Sequence, residues 1–186
     1  MNELVERANT LFDKANQLKK FFDIEQLAIK HFRNIHWTGS SVTNLMADAD
    51  IDSNILLKPL DKEKIIAFAK DLTEIKEFRK VILYNRTYEP IPYFIINVER
   101  LTFMEESWTL TFFIEETDFQ KALEMTYAIK NNVDENQRDL ILKFKDFRLA
   151  HELKSEISSA LLYEAVLDKK IDSIDGFKSF LKSQGI

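Results

Sequence analysis

Three glycines punctuate 186 residues, at positions 39, 176 and 185. Average usage of about 7% would supply roughly four times as many. Three prolines add little further interruption. A chain with so few breakers folds into long uninterrupted elements, and each glycine needs a local reason. Gly39 is the informative one, because it follows a β-rich run, Ile35-His36-Trp37-Thr38, and precedes Ser40-Ser41. A glycine at that junction lets backbone approach a ligand closely as a strand turns toward a helix.

Hydrophobic spacing orders the rest. Leu4, Ala8, Leu11, Ala15 and Leu18 recur at three- and four-residue intervals and predict a helix over 3–22. A short helix over 24–32, a strand over 33–38 and one ambiguous turn over 41–47 follow. Residues 50–57 read as a strand stopped by Pro59. A helix capped by Asp61 is expected to run to Ile75, and a strand over 78–84. Pro90 and Pro92 delay regular structure until Tyr93. The runs 93–103 and 108–114 then predict a hairpin around Met104-Glu105-Glu106-Ser107. Beyond Thr117 the pattern is helical, over 118–130, 134–152, 158–168 and 173–183. The expected class is α+β, a mixed α/β arrangement with a core over 1–116 and a helical C-terminal part over 117–186 packed on it.

Composition removes several functions. The absence of cysteine excludes thiol catalysis, zinc–thiolate sites and disulfides. A net charge of −5 argues against an extended nucleic-acid partner. Between residues 86 and 120 only Arg86 and Arg100 are basic, so the acidic excess sits around the hairpin. Neither a membrane span nor a secretion signal is legible, and a cytoplasmic location is expected.

Asp50-Ile51-Asp52 carries the chemistry. Residues two apart on a strand share a face, so Asp50 and Asp52 would present paired carboxylates while Ile51 and Ile55 point into the core. Like charges held close call for a cation, and hard oxygen ligands suit Mg²⁺ or Mn²⁺. Gly39-Ser40 ahead of them offers a phosphate-approach turn. Phosphate cradle plus divalent-metal ligands suits phosphoryl or nucleotidyl transfer. A calcium loop is a rival for Asp48, Asp50, Asp52 and Asn54, but Ser53 and Pro59 stand where an EF-hand needs glycine and glutamate. His36, Trp37 and Trp108, and the cations Lys58, Lys76, Lys80 and Arg86, are secondary candidates for phosphate or base contacts. His31 and His151 read as packing or surface residues.

Gly39-Ser40, nine residues, then Asp50-Ile51-Asp52 resembles the signature of the DNA polymerase β-like nucleotidyltransferase superfamily. With Leu45-Met46, the hairpin runs Tyr93–Ile96 and Trp108–Phe113, and Ser158–Leu167, it is similar to small bacterial and archaeal members. The resemblance implies a nucleotidyltransferase-like mixed sheet packed on helices. It also implies metal-dependent transfer of a nucleoside monophosphate from a nucleoside triphosphate to an acceptor hydroxyl. Asp50 and Asp52 would be catalytic and hold Mg²⁺ (or Mn²⁺), and Gly39 and Ser40 would bind the nucleotide. That family adds a third carboxylate in a Trp-x-hydrophobic-Asp pattern, which falls on Thr111 here. Asp48, Glu99 and Glu115 are the substitutes to check. A catalytically lapsed nucleotide-binding or protein-interaction module, and a homodimer through the helical tail, are the alternative readings. The sequence names no acceptor.

Overall fold

The computed structural model describes residues 2–117 and 120–186. Two helices open the chain, α1 (Glu3–Phe21) and α2 (Ile24–Phe32), then β1 (His36–Thr38), α3 (Ser40–Thr43), β2 (Asp50–Leu56), α4 (Lys62–Thr73), β3 (Lys80–Arg86), β4 (Tyr93–Phe103) and β5 (Glu106–Glu115). Helices α5 (Gln120–Asn132), α6 (Glu135–Ala150), α7 (Ser159–Tyr163) and α8 (Ile174–Ser183) complete it, with a π-helical turn at Glu164–Asp168. Asp118 and Phe119, the start of the helix expected from 118, lie outside the described residues.

The strands form one mixed sheet in the order β1-β2-β5-β4-β3. β2 and β5 are parallel at its centre, and the other neighbours are antiparallel. Alternation divides the faces. Ile51, Ile55, Leu110, Phe112, Ile114, Phe94 and Ile96 are buried on one face, in a core shared with α1, α2 and α4. Phe68 of α4 meets Phe112 edge-on at 5.2 Å and Phe32 of α2 at 5.0 Å. Such edge-to-face packing adds to the area each ring buries. The other face carries Asp50, Asp52, Asn54, Thr109, Thr111 and Glu115, with Phe113 and Leu56 as its apolar members.

Helix ends follow side-chain capping. Asp61 accepts from the Lys64 N–H at 3.2 Å, and Asp134 and Gln137 form a reciprocal box at the start of α6. Gly176 lies in the first turn of α8, where its N–H meets the Ser173 hydroxyl oxygen. A Cβ there would crowd Ile171 and Ser173 at 3.1 Å, so glycine answers a packing need. A second apolar cluster joins α6, α7, the π-turn and α8 to Ala8 of α1 and Leu45.

Element boundaries shift by one to two residues from the sequence reading at several ends, and three differences have a clear physical reason. The first strand starts at His36 rather than Arg33, because Arg33 takes a left-handed conformation that ends α2. Asn34 then uses its amide to bond the Leu56 backbone in both directions. The third strand starts at Lys80 rather than Phe78, whose ring plugs the core. The helix expected over 158–168 widens into the π-turn, which brings Leu162, Tyr163, Ala165 and Val166 all inward.

Candidate active site

Gly39 joins β1 to α3 with φ 68° and ψ −150°, a conformation essentially confined to glycine. Its reason is visible. A Cβ at this position would stand 3.2 Å from the Asp52 Oδ2. The turn therefore lies flush against that carboxylate. The Gly39 N–H donates to the Thr126 hydroxyl of α5 at 3.2 Å, and its carbonyl accepts from Val42 and Thr43. The Gly39 N–H is thus engaged by α5 within the protein. Gly39→Ala is expected to cost about 1–3 kcal/mol, through backbone strain and the displaced carboxylate. A chemical denaturation midpoint at constant m-value checks it.

Asp50 and Asp52 lie on β2 and share the open face, with Thr38 of β1 paired to Asp52 on one side and Thr111 of β5 on the other. The central cluster holds more charge than the sequence disclosed. Lys154, in the α6–α7 connection, reaches Asp48 Oδ2 at 2.5 Å and also pairs with Asp50. Burial works against the charged form of Asp48, but Lys154, aided by Lys145 and Arg148, outweighs it and lowers the pKa. Asp50 is raised, by burial and by Asp48, against the pull of Lys154. Asp52 is pushed up to about 6, first by burial and then by Asp50. Among the described residues no cation stands within ion-pair distance of Asp52.

Behind this row sit two cations from α6. Lys145 is buried, donates to the Leu45 carbonyl at 2.8 Å and stands 5.6 Å from the centre of the Tyr163 ring. Burial, then Arg148, lowers its pKa to about 8. Arg148 donates to the Ile157 carbonyl at 3.1 Å, and its buried Nε has no partner. The Tyr163 phenol is held up to about 12 by burial, so it stays protonated and can donate. Sequence reading missed Lys145, Arg148 and Lys154. The first two were findable, since they stand four and seven residues beyond Ile141, on the stripe that α6 buries. Lys154 carries no local signal.

A cavity of about 350 Å³ opens beside Asp52, walled by Thr38, Gly39, Ser40, Phe113, Met125 and Tyr163. The other sequence candidates sit elsewhere. Glu99 is two strands from β2 and pairs with Lys80 at 2.6 Å. Glu115 faces the same side but accepts from Asn54 at 3.0 Å, four residues beyond Thr111. Thr111 itself is half-buried beside Asp52. Its neighbour on β4, Asn97, keeps a buried amide oxygen without a partner. Arg86 bonds Tyr88, and His31 pairs with Asp71. The His151 ring lies against the Phe147 carbonyl, and Trp108 is core.

The donor set suits a small hard cation. Asp50 and Asp52 offer carboxylate oxygens on one face, and the unpaired charge of Asp52 lacks a counter-ion. Among the described residues no three His, Asp or Glu side chains are placed to hold a metal ion. Any such ion would need further oxygens from its substrate and from water, the usual arrangement for Mg²⁺.

No family model and no curated protein matches the sequence. Solved structures do. A cytoplasmic RNA terminal U-transferase aligns with TM-score 0.63 and 15% identity, over 89% of this chain and 53% of its own. The Cid1 poly(U) polymerase aligns in a MgATP-bound form at 0.59 and 14%, over 86% and 53%. Its MgGTP-bound form aligns at 0.56 and 14%, over 80% and 48%. The chain has the polymerase β-like nucleotidyltransferase fold. It spans about half the length of these nucleotidyltransferases. Within the described part of the nucleotidyltransferase fold, no helix is long and apolar enough to cross a membrane.

Proposed function

We propose that this chain binds a nucleoside triphosphate together with Mg²⁺ or Mn²⁺ and transfers its nucleoside monophosphate to an acceptor hydroxyl. The observation that carries the reading is Asp52: a half-buried carboxylate without an ion-pair partner among the described residues, held flush against Gly39 at the mouth of a cavity. Asp50 and Asp52 would hold the ion, which when bound screens phosphate charge and favours pyrophosphate departure. The Ser40 hydroxyl and the Tyr163 phenol line the same cavity and can donate to phosphate oxygens. In the transfer, the acceptor oxygen bonds to the α-phosphorus while the bond to the α,β-bridging oxygen breaks and pyrophosphate leaves, and the acceptor's proton passes to solvent water. Ala122, Met125 and Thr126 of α5 and Ser159 and Tyr163 of α7 line the cavity beside the sheet, so the helical C-terminal part would serve the site as well as packing on the core. Calorimetry with ATP, GTP, CTP and UTP, with and without Mg²⁺, tests donor binding, and labelled nucleotide tests transfer. The compared structures are an RNA terminal U-transferase and a poly(U) polymerase, whereas the acidic balance here favours a small-molecule or protein hydroxyl as acceptor.

A second reading, nucleotide binding without efficient transfer, is favoured by Thr111. A threonine beside Asp52 cannot accept the acceptor's proton as a carboxylate would. Asp48 is engaged by Lys154.

Lys154 sets the terms for the cation under either reading. An ion on Asp50 must displace its ammonium. Lys154→Met is expected to tighten Mn²⁺ binding about tenfold, the equivalent of ~1.4 kcal/mol. Calorimetry at pH 7.5 measures it, and unchanged affinity would mean that the ion does not use Asp50.

A further inference from the structure

A second cavity, of about 310 Å³, lies along the free β1 edge of the sheet, between α1, α3 and α5. It is separate from the one at Asp52. Ser41 and Val42 of α3 face it, while Gly39 and Ser40 line the other; on α5, Tyr127 and Lys130 face it, while Met125 and Thr126 line the other.

Its lining is unlike the rest of the molecule. The chain has 31 acidic residues, yet among the described residues none lines this cavity. Two lysines do, Lys19 and Lys130, together with the Trp37 indole and the Tyr127 phenol. The Lys19 ammonium stands 5.1 Å from the centre of the Trp37 ring. Its hydrogen bond to the Ser41 carbonyl, at 3.5 Å, is at the outer limit of such contacts. No carboxylate lies within ion-pair distance of it among the described residues. Burial depresses the Lys19 pKa to about 8; Glu25 offsets part of this, and Lys130 adds to it. The two ammonium groups therefore act on the same space. A half-buried cation without a carboxylate among the described residues, beside a half-buried indole and an exposed phenol, leaves room for an anion and a flat ring. Lysine serves phosphate as a compact point charge, and base–aromatic stacking is worth about 1–3 kcal/mol.

We infer that this edge cavity binds one nucleoside monophosphate unit, its base against Trp37 and Tyr127 and its phosphate between Lys19 and Lys130. The volume admits a base, a sugar and one phosphate but leaves little room for a triphosphate. The unit could come as a free mononucleotide or as one residue of a short strand; the recognition chemistry is the same.

Tryptophan emission reads this site directly, since Trp108, the other tryptophan, is fully buried. The protein is titrated with AMP and, separately, with an adenosine hexanucleotide, in EDTA so that no metal-dependent binding contributes. Saturable quenching is expected, reduced at least tenfold in affinity by Lys19→Met, abolished by Trp37→Phe and retained by the double variant Asp50→Asn, Asp52→Asn. A hexanucleotide bound more than tenfold tighter than AMP identifies a strand as the source, and equal affinities identify the free mononucleotide. The inference fails if neither probe quenches, or if quenching persists unchanged in Lys19→Met. It fails also if the aspartate variant abolishes quenching, which would place the ligand in the other cavity. Because the titration excludes metal, its failure leaves the donor-site reading standing, and the reverse holds too.

Discussion

Asp52→Asn is expected to stabilise the metal-free protein while abolishing metal-supported triphosphate binding. The wild-type carboxylate is buried beside Asp50, and the cations nearby do not offset that environment. Asparagine keeps the shape and removes the charge. The gain at pH 7.5 should be about 1–2 kcal/mol, or roughly 2–8 °C in Tm for a chain of this size. Its pH dependence carries a sign. The folded-state pKa of about 6 lies above the ordinary aspartate value of 3.8, so the native state binds the proton more tightly. Stability from protonated Asp52 is present at low pH and is lost as pH rises through about 6. The advantage of the asparagine variant should therefore be full above pH 7 and vanish toward pH 4. Scanning calorimetry in EDTA at several pH values checks both size and direction. Below pH 6 proton competition should also weaken Mn²⁺ binding to the wild type.

The second large effect concerns Thr111→Asp. Thr111 stands in register with Asp52 on the parallel neighbour strand and on the same face. A carboxylate there would add a third oxygen ligand and a group able to take the acceptor's proton. Neither Glu99 nor Glu115 supplies one from the positions they occupy. General-base catalysis contributes about 10²–10⁴ in rate. Labelled-nucleotide transfer by Thr111→Asp should rise by a factor in that range over the wild type, with donor affinity changed far less. Equal transfer by both proteins would show that Asp48 already supplies the missing function.

Most of the element order was legible, because periodicity is strong in a chain with few breakers. The α1 stripe, the Asp61 cap and the hairpin expected over 93–103 and 108–114 follow from local chemistry, the second strand running two residues earlier and one later, over Glu106–Glu115. Strand pairing of Asp52 with Thr111 was not readable from spacing, since register is set by tertiary packing; the family resemblance supplied that expectation. The paired aspartates were visible because a two-residue period maps directly onto one face. The surrounding cations were not. Lys154 arrives from a connection 104 residues beyond Asp50. Lys145 and Arg148 show only as charges on an otherwise apolar stripe of α6. The engagement of the Gly39 N–H by Thr126 likewise joins residues 87 apart. Local pattern specifies which side chains share a face, and long-range packing decides which charges meet.

Titration of the wild type and of the Asp50→Asn, Asp52→Asn double variant with ATP and UTP in Mn²⁺, followed by calorimetry, tests the central claim most directly. The account predicts metal-dependent triphosphate binding to the wild type and its loss in the double variant, with no loss of folding stability. Triphosphate binding of equal affinity in both proteins, or none to the wild type at millimolar nucleotide, would contradict it.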